Sequence, residues 1–462
     1  MTKLADLTAT DLRRRIASKD VSVTEAVAAC LERVAERNPE LNAIVTLNPH
    51  AMEDAGELDA RIKRGEDPGP LCGITVGIKD ITPVAGLRTT FGSPIYADYV
   101  PKEDALVVQR LREAGAVILG KTNCPEFAAG ANTFNEIFGR TRNPWNPAKS
   151  AGGSTGGGAA ALATGMIGLA EGTDLGGSLR IPAAFCGVFG LRPSVGLVPT
   201  YPTDWVWDTL QVTGPMARTA EDAALMLQAI AGPSEYSPYS QAVAGRDFVR
   251  AARGSRKNLR VAYCADIAGI GVDPEVERVC REAALSLKAN GVRVDEIDLD
   301  LSDARAAFIS QRGLWFVTQM FPRLDMQDRF GPNVGNNVRS GLEVTTKELA
   351  AAENYRGRLW HQFRELFAEY HHLLTPCVAV PPFPVEQNYP DSIAGKPMKT
   401  YIDWIAPTFV LSLIGLPVAS VPAGLDSNGM PVGLQIAGKQ FGEEGVLALA
   451  AAIQKLRPLR QL

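Results

Sequence analysis

Two glycine-rich stretches, Lys149-Ser-Ala-Gly-Gly-Ser-Thr-Gly-Gly-Gly158 and Gly172-Thr-Asp-Leu-Gly-Gly-Ser-Leu-Arg-Ile-Pro182, carry the strongest signal in this sequence. Each places a serine among glycines, and glycine permits positive φ and a close approach of the backbone. Apolar sequence follows each stretch at once, at Ala159–Ala163 and from Ile181 onward, which is not typical of a flexible linker. The two stretches therefore predict ordered loops whose backbone N–H groups meet a ligand.

Two kinds of ligand suit such loops. A Walker A phosphate cradle needs a lysine after the glycines, where this chain has Ala159, and no GxGxxG follows a strand with an acidic partner at the right distance. The better interpretation is a serine nucleophile with backbone donors for a developing oxyanion. The expected donors are the N–H groups of Leu175, Gly176, Gly177 and Ser178.

A serine nucleophile needs a base. The four histidines lie in a turn or along a C-terminal helix, and no HExxH occurs. Lys79 and Lys121 each end a short apolar run, where burial would lower the pKa of a lysine and let it act as a neutral base. The alternative is a structural lysine paired with a carboxylate such as Asp80 or Glu126. Sequence position does not choose between Lys79 and Lys121.

The composition of the chain restricts which binding partners and which cellular compartment we expect. Of 462 residues, 46% are hydrophobic and 21% charged, which is typical of a globular chain, and the net charge of −4 offers no footprint for nucleic acid or an anionic membrane. Seven cysteines without a CxxC predict free thiols and no metal site. Met1–Asp20 lacks the apolar core of a signal peptide, and prolines interrupt Val410–Leu425. We expect a cytoplasmic protein.

Helix signals alternate with short apolar runs. Helices are predicted at Val23–Arg37 (ended by Pro39) and Asp104–Glu113, and from Thr219 to Gly232, Asp273 to Gly291 and Thr345 to His371. Strands are predicted at Ile74–Ile78, Ala116–Leu119, Leu373–Val380, Val418–Val421 and Val432–Ile436. This alternation predicts an α/β fold with a mostly parallel or mixed sheet. We expect a single domain over residues 1–462 with an N-terminal helical arm at 1–62.

Taken together, the motifs resemble the amidase signature family of serine hydrolases. The matching stretches are Gly73–Asp80, Gly120–Phe127, Thr141–Trp145, Gly152–Gly157, Gly172–Pro182, Gly187–Pro193, Gly415–Pro422 and Gly429–Ile436. The resemblance extends from about Leu4 to Ile453. It implies the amidase signature fold, in which a central mixed, twisted β-sheet is covered by helices on both faces.

The resemblance also implies a Ser-cisSer-Lys triad. Ser178 would be the nucleophile, Ser154 the bridging serine after a cis peptide bond with Gly153, and Lys79 the base. Amide hydrolysis would then proceed through an acyl-enzyme on Ser178, with no metal and no organic cofactor.

The resemblance assigns supporting roles as well. Asp174 and Arg180 would hold the nucleophile loop in shape. Thr155 stands where serine is commoner in the family, but it keeps the hydroxyl. A thiol amidase that uses Cys124 would leave both serine loops unexplained, so Cys124 and Cys186 are predicted to be small buried fillers.

Aromatic residues suggest the substrate. The segment Tyr201-Pro-Thr-Asp-Trp-Val-Trp207 and a second group around Tyr401 suit an apolar pocket, although each residue could equally pack in the core. The predicted pocket residues are Tyr201, Trp205, Trp207, Tyr401 and Trp404. We therefore expect a small-molecule hydrolase of hydrophobic aryl or alkyl amides, with ester and carbamate (urethane) side activity.

The rival function is a glutaminase-type subunit of a tRNA-dependent amidotransferase, since such subunits share these motifs. A non-catalytic binding protein is disfavoured because all three triad positions are intact. Residues from about 301 to 340 match no motif and are the candidate for a variable, pocket-covering segment, with Gly331–Asn337 predicted as a flexible turn. We expect a monomer or homodimer.

Overall fold

A mixed β-sheet flanked by helices organises the chain. The computed structural model describes residues 4–254, 258–460 and 462. Its strands are β1 (Ile44–Leu47), β2 (Thr75–Lys79), β3 (Val117–Thr122), β4 (Phe134–Asn135), β5 (Gly139–Arg140), β6 (Leu169–Asp174), β7 (Phe189–Arg192), β8 (Val212–Ala217), β9 (Arg260–Tyr263), β10 (Arg293–Glu296), β11 (His372–Pro376), β12 (Ser392–Ile393), β13 (Lys396–Pro397), β14 (Val418–Leu425) and β15 (Pro431–Ala437). Its helices are α1 (Ala9–Ala17), α2 (Val23–Leu41), α3 (Ala51–Lys63), α4 (Leu106–Glu113), α5 (Gly156–Ala163), α6 (Arg180–Cys186), α7 (Ala220–Ile230), α8 (Phe248–Arg253), α9 (Pro274–Ser286), α10 (Ala304–Met320), α11 (Pro332–Leu342), α12 (Thr346–Glu369), α13 (Ala406–Ser412) and α14 (Glu443–Leu456).

The large sheet combines parallel and antiparallel pairs. Within the described residues, eleven strands form it in the order β1-β3-β2-β6-β8-β7-β14-β15-β11-β9-β10. Strand β2 runs parallel to β3 and β6, and β9 runs parallel to β10 and β11. The pairs from β6 through β8, β7, β14 and β15 to β11 are antiparallel. The predicted α/β class and mixed sheet are confirmed.

Helix caps account for several boundaries. Thr345 and Glu348 form a reciprocal capping box at the start of α12, and Asp273 caps α9 with Pro274 in its first turn, as the sequence predicts. The prediction that Pro39 ends α2 is wrong. The helix continues to Leu41, whose side chain is fully buried and anchors the last turn.

The N-terminal segment is more than a helical arm. After α1 and α2 it contributes β1, which pairs antiparallel with β3 at the edge of the large sheet. Short apolar strands of this kind are hard to separate from loop sequence without a clear alternation. The prediction that residues 1–62 form a helical arm is therefore incomplete, because this segment also contains one edge strand.

Helices α10 and α11 pack with their backbones close together. A Cβ on Gly341 would overlap the carbonyl oxygen of Gly313, so both glycines permit the close approach. The prediction of a flexible turn at Gly331–Asn337 is wrong, because Gly331 is the N-cap of α11 and Pro332 occupies its first turn. Tertiary packing here overrides the low helix propensity of Gly and Asn.

None of the helices in the described part of the chain is both long enough and apolar enough to cross a lipid bilayer.

The close approach of α10 and α11 gives a test of the fold. Replacing Gly341→Ala should destabilise the protein by about 1–3 kcal/mol, because the new methyl group meets the Gly313 backbone. Gly357→Ala is the matched control. It lies on an exposed position of α12 with open space around its Cβ and should stabilise by about 0.5–1 kcal/mol. Urea unfolding of both variants measures the difference, and equal effects would contradict the packing.

Candidate active site

The predicted site residues come from neighbouring elements of the sheet. Lys79 is the last residue of β2, and the loop that carries Ser178 follows β6, the parallel neighbour of β2. Ser154 lies in the loop that enters α5. In open α/β sheets, ligands bind outside the carboxyl ends of parallel strands. The topology therefore brings both glycine-rich loops to one such edge.

A buried hydrogen bond joins two of these residues. Lys79 Nζ donates to Ser154 Oγ at 2.6 Å and to Thr173 Oγ1 at 3.0 Å. Lys79 and Ser154 are both fully buried, while Ser178 is partly exposed. Ser154 and Ser178 line the same cavity. The Gly153–Ser154 peptide bond is cis, as the resemblance predicts.

The pairing register of β2 and β3 distinguishes the two lysines that are candidates for the base. Lys121 of β3 aligns with Ile78 rather than with Lys79, so the two lysine side chains point to opposite faces of the sheet. Lys121 Nζ donates to Thr89 Oγ1 at 3.1 Å and to the carbonyl oxygen of Thr82. Burial lowers the pKa of both lysines to about 8. Only Lys79 contacts a serine of the glycine-rich loops.

Neither lysine forms a close ion pair of the kind that the structural alternative required, although Asp80 and Lys121 attract each other at longer range. Among the described residues, no acidic side chain lies within ion-pairing distance of Lys79 or Lys121, whereas Asp174 pairs with two arginines. Glu171, also fully buried, instead accepts from the backbone N–H of Lys79 at 3.1 Å and from Thr82 Oγ1 at 3.0 Å.

Asp174 holds the loop that carries Ser178. Its carboxylate accepts hydrogen bonds from Arg180 Nε at 3.0 Å and Nη2 at 2.9 Å, and Arg192 Nη1 lies 3.3 Å from it. It also accepts from the backbone N–H groups of Gly177 at 2.9 Å and Leu179 at 3.2 Å. Burial alone would raise the pKa of Asp174, but the two guanidinium groups outweigh it and hold the pKa well below its ordinary value.

The hydrogen bond from Gly177 to Asp174 reduces the number of predicted oxyanion donors. The N–H group of Gly177 already donates to Asp174, so it is not free to face a substrate. In the described residues, the N–H groups of Leu175, Gly176 and Ser178 donate to no protein acceptor. The Ser178 carbonyl accepts from the backbone N–H of Thr155 at 3.2 Å, which links the two glycine-rich loops.

Two adjoining cavities reach the site. The first, of about 30 Å³, is lined by Ser154, Ser178, Leu175 and Gly176, among others. The second, of about 500 Å³, opens beside it. The residues that line both are Phe127, Thr173, Gln211 and Trp315.

Of the aromatic residues that were predicted to line a substrate pocket, some line a cavity and the others lie elsewhere in the molecule. Tyr201 lines the larger cavity and Tyr401 the smaller one. The prediction is wrong for Trp205, Trp207 and Trp404, which line neither cavity. Trp404 is fully buried and stacks on a core phenylalanine, Trp207 is 60% exposed on a loop, and Trp205 packs at the edge of the core.

Sequence reasoning missed much of the cavity wall. Helix α10 supplies Phe308, Arg312 and Trp315, and no motif marks them. A signal was present, because the segment from 301 to 340 was the one that no motif explained. Sequence reasoning also missed Phe127 and Ala128, which line the same cavity as Ser178. Their φ angles of 44° and 59° are positive, and such conformations are uncommon in residues other than glycine.

The alternative chemistries receive no support from the geometry. Cys124 is fully buried, and burial raises the pKa of its thiol to about 12. Cys124 and Cys186 are buried as predicted. Within the residues that the structure describes, no group of three or more His, Cys, Asp or Glu side chains is placed to hold a metal ion.

Comparisons with known proteins extend over nearly the whole chain. A family model described as Amidase matches residues 25–447. A protein named acylamidase, from Rhodococcus erythropolis, is 37% identical over 98% of this chain and 96% of its own length. A glutamyl-tRNA(Gln) amidotransferase subunit from Thermosynechococcus vestitus is 34% identical over 98% of both chains. The crystal structure of a bacterial aryl acylamidase of the amidase signature family superposes with a TM-score of 0.91 at 27% identity, covering 98% of this chain and 96% of that one.

The ion cluster under the loop that carries Ser178 can be tested by charge removal. Asp174→Asn should destabilise the protein by about 3 kcal/mol or more, because Arg180 and Arg192 lose their buried counter-charge. Asp295→Asn is the control, since Asp295 also pairs with two arginines but near the surface, and its loss should change stability little. Urea unfolding compares the two, and similar losses would contradict a special role for the buried cluster.

Proposed function

This chain belongs to the amidase signature family and hydrolyses amide carbon–nitrogen bonds, and from that premise we propose that its substrates are hydrophobic aryl or alkyl amides. In this proposal Ser178 is the nucleophile, and Ser154 and Lys79 form the proton relay. Esters and carbamates are proposed side substrates, because both present a carbonyl to the same nucleophile. The observation that carries the proposal is the 2.6 Å contact between Lys79 Nζ and Ser154 Oγ at the cavity that Ser178 also lines.

The relay works only when Lys79 is neutral. A neutral Lys79 accepts a proton from Ser154 while Ser154 accepts one from Ser178, and the Ser178 oxygen attacks the substrate carbonyl carbon. The tetrahedral oxyanion would be met by the N–H groups of Leu175, Gly176 and Ser178. Ser154 then gives a proton to the leaving nitrogen and takes one back from the Lys79 ammonium, the carbon–nitrogen bond breaks, and the amine departs. Water repeats the sequence on the acyl-enzyme and releases the acid.

The larger cavity supports the choice of substrate. Its volume of about 500 Å³ falls in the usual range for small-molecule sites. Aromatic side chains make up much of its wall, namely Phe91, Tyr96, Tyr99, Phe127, Tyr201 and Trp315. An apolar aryl or alkyl group would bury its surface there favourably. Similarity to proteins named acylamidase and aryl acylamidase points the same way.

The second candidate is a glutamine-hydrolysing component of a tRNA-dependent amidotransferase, favoured by the relative from Thermosynechococcus vestitus. Such a component needs glutamine as its amide and a partner that accepts ammonia. The aromatic wall of the larger cavity favours the independent hydrolase, because ammonia as a leaving group needs no apolar cavity.

Nucleophile removal tests the proposal. Ser178→Ala should abolish release of 4-nitroaniline from short acyl nitroanilides and hydrolysis of a matching aryl carbamate. Ser286→Ala, remote from both cavities, should retain both activities. Full activity in Ser178→Ala would contradict the proposal that Ser178 is the nucleophile. Ammonia release from glutamine without anilide turnover would favour the amidotransferase function.

The pH dependence tests the role of Lys79. Because burial lowers its pKa to about 8, kcat/KM should rise as the pH increases through about 8 and level off above it. Thr173→Val removes an acceptor that favours the charged ammonium, so the rise should move to lower pH. Thr213→Val, which lines only the larger cavity, should leave the midpoint in place. A flat profile from pH 6 to 9 for the unmodified protein would contradict the assignment.

A further inference from the structure

A buried glutamate that the proposed relay does not use lies directly beside its base. Glu171 of β6 is fully buried and aligns with Ile78 of β2, one residue before Lys79. Its Oε2 atom accepts from the backbone N–H of Lys79 at 3.1 Å, and its Oε1 atom accepts from Thr82 Oγ1 at 3.0 Å. Because both oxygen atoms accept hydrogen bonds, these contacts favour the ionised carboxylate. A buried charge without compensation is unfavourable, so its surroundings must supply some.

Lys121 supplies a positive charge for this carboxylate. Lys121 of β3 aligns with Ile78 from the other side of β2, so Lys121 and Glu171 flank one position of that strand. Thr82 joins them, because its hydroxyl donates to Glu171 and its carbonyl oxygen accepts from Lys121 Nζ. Burial raises the pKa of Glu171, whereas the Thr82 hydroxyl and the charges of both lysines act in the opposite direction. The second buried lysine therefore helps to keep Glu171 ionised.

The other titratable groups adjacent to Lys79 are neutral or have partners of their own. They lie at or just beyond the ends of β2, β3 and β6, namely Asp80, Cys124 and Asp174. Asp174 pairs with two arginines, and burial raises the pKa of the Cys124 thiol to about 12. Asp80 is attracted by Lys121. Helix α5, which packs on β2, and strand β8, beside β6, contain no titratable side chain.

The charge of Glu171 acts on Lys79 in one direction. Burial favours the neutral form of a lysine, whereas nearby negative charge, that of Glu171 included, favours the ammonium form. The pKa of Lys79, about 8, is the balance of these effects. A base works best when its pKa lies near the working pH, because a lower pKa makes it weaker and a higher one leaves it protonated.

We propose that Glu171 is a positioning residue for the base: its ionised carboxylate sets the pH at which Lys79 becomes neutral, and Lys121 maintains that carboxylate in its charged form. The inference rests on the proposed function and adds a residue to its machinery. Glu171 lines neither of the two cavities at the site, so it acts through Lys79 and not on the substrate.

Two variants separate the charge of Glu171 from its shape. Glu171→Gln keeps the length of the side chain and removes the charge, whereas Glu171→Asp keeps the charge and shortens the side chain. The kcat/KM for a neutral acyl 4-nitroanilide is measured from pH 6 to 9. In Glu171→Gln the midpoint of the rise should move down by about 0.5 to about 1 pH unit, because the Lys79 ammonium loses a favourable charge.

The same shift can be measured as a ratio that does not depend on how much active protein is present. The ratio of kcat/KM at pH 9 to that at pH 6 should fall by about threefold to about eightfold in Glu171→Gln. In Glu171→Asp this ratio and the midpoint should stay close to those of the unmodified protein, because the charge remains.

Two further variants keep the test decisive. Glu443→Gln is the matched control, because Glu443 is also fully buried but pairs with Arg246 and lines neither cavity, so the midpoint should stay in place. Glu171→Met replaces Glu171→Gln if the latter does not fold, since an apolar side chain of similar length needs no hydrogen-bond partner in the interior. The same downward shift is expected.

A merely structural role for Glu171 gives a different pattern. The shorter side chain of Glu171→Asp would then cost most of the activity while the midpoint of Glu171→Gln stayed in place, and this result would overturn the inference. An equal shift in Glu443→Gln would also overturn it. If the unmodified protein keeps a Ser178-dependent rise near pH 8, such a failure leaves the proposed function intact, whereas absence of that rise would overturn both.

Discussion

The buried carboxylate of Asp174 ties the loop that carries Ser178 to two buried arginines. Asp174 ends β6, accepts hydrogen bonds from two backbone N–H groups of that loop, and pairs with Arg180 and Arg192. Arg180 in turn reaches Gln435 of β15 at 2.7 Å and Ser412 of α13 at 2.7 Å. The loop is therefore fixed from several elements at once. Preorganised donors of this kind cost no reorganisation when charge develops in a reaction.

Sequence alone predicted the parts of this site that are local. Glycines with positive φ are used where the motifs place them, as at Gly152 and Gly177, and the cis bond lies before Ser154. Lys79 and Lys121 could not be separated, because both are buried at strand ends and share the same direction of pKa shift. What separates them is the pairing register of β2 and β3, which depends on two distant segments.

The cavity walls were the least predictable part, for a different physical reason. An aromatic side chain has the same apolar surface whether it packs in a core or lines a pocket. The sequence therefore could not show that Trp404 is buried in the core while Tyr401 lines the smaller cavity. Apart from lying in the segment that no motif explained, Arg312 carried no signal of its own, since an arginine on an amphipathic helix normally faces water. Its burial follows from the packing of α10 against α11, which tertiary contacts impose on sequence with low helix propensity.

The contact between Gly313 and Gly341 has a consequence for how this protein can diversify. It makes α10 and α11 one packed unit, in which α10 supplies part of the wall of the smaller cavity, whereas the proposed reacting groups lie between Lys79 and Ser178 in the sequence. Much of the aromatic wall of the larger cavity, by contrast, comes from the stretch that also carries the proposed reacting groups, because Phe91, Tyr96 and Phe127 lie there. Recombination that replaces the later stretch would therefore change the wall of the smaller cavity and leave the proposed reacting groups unchanged.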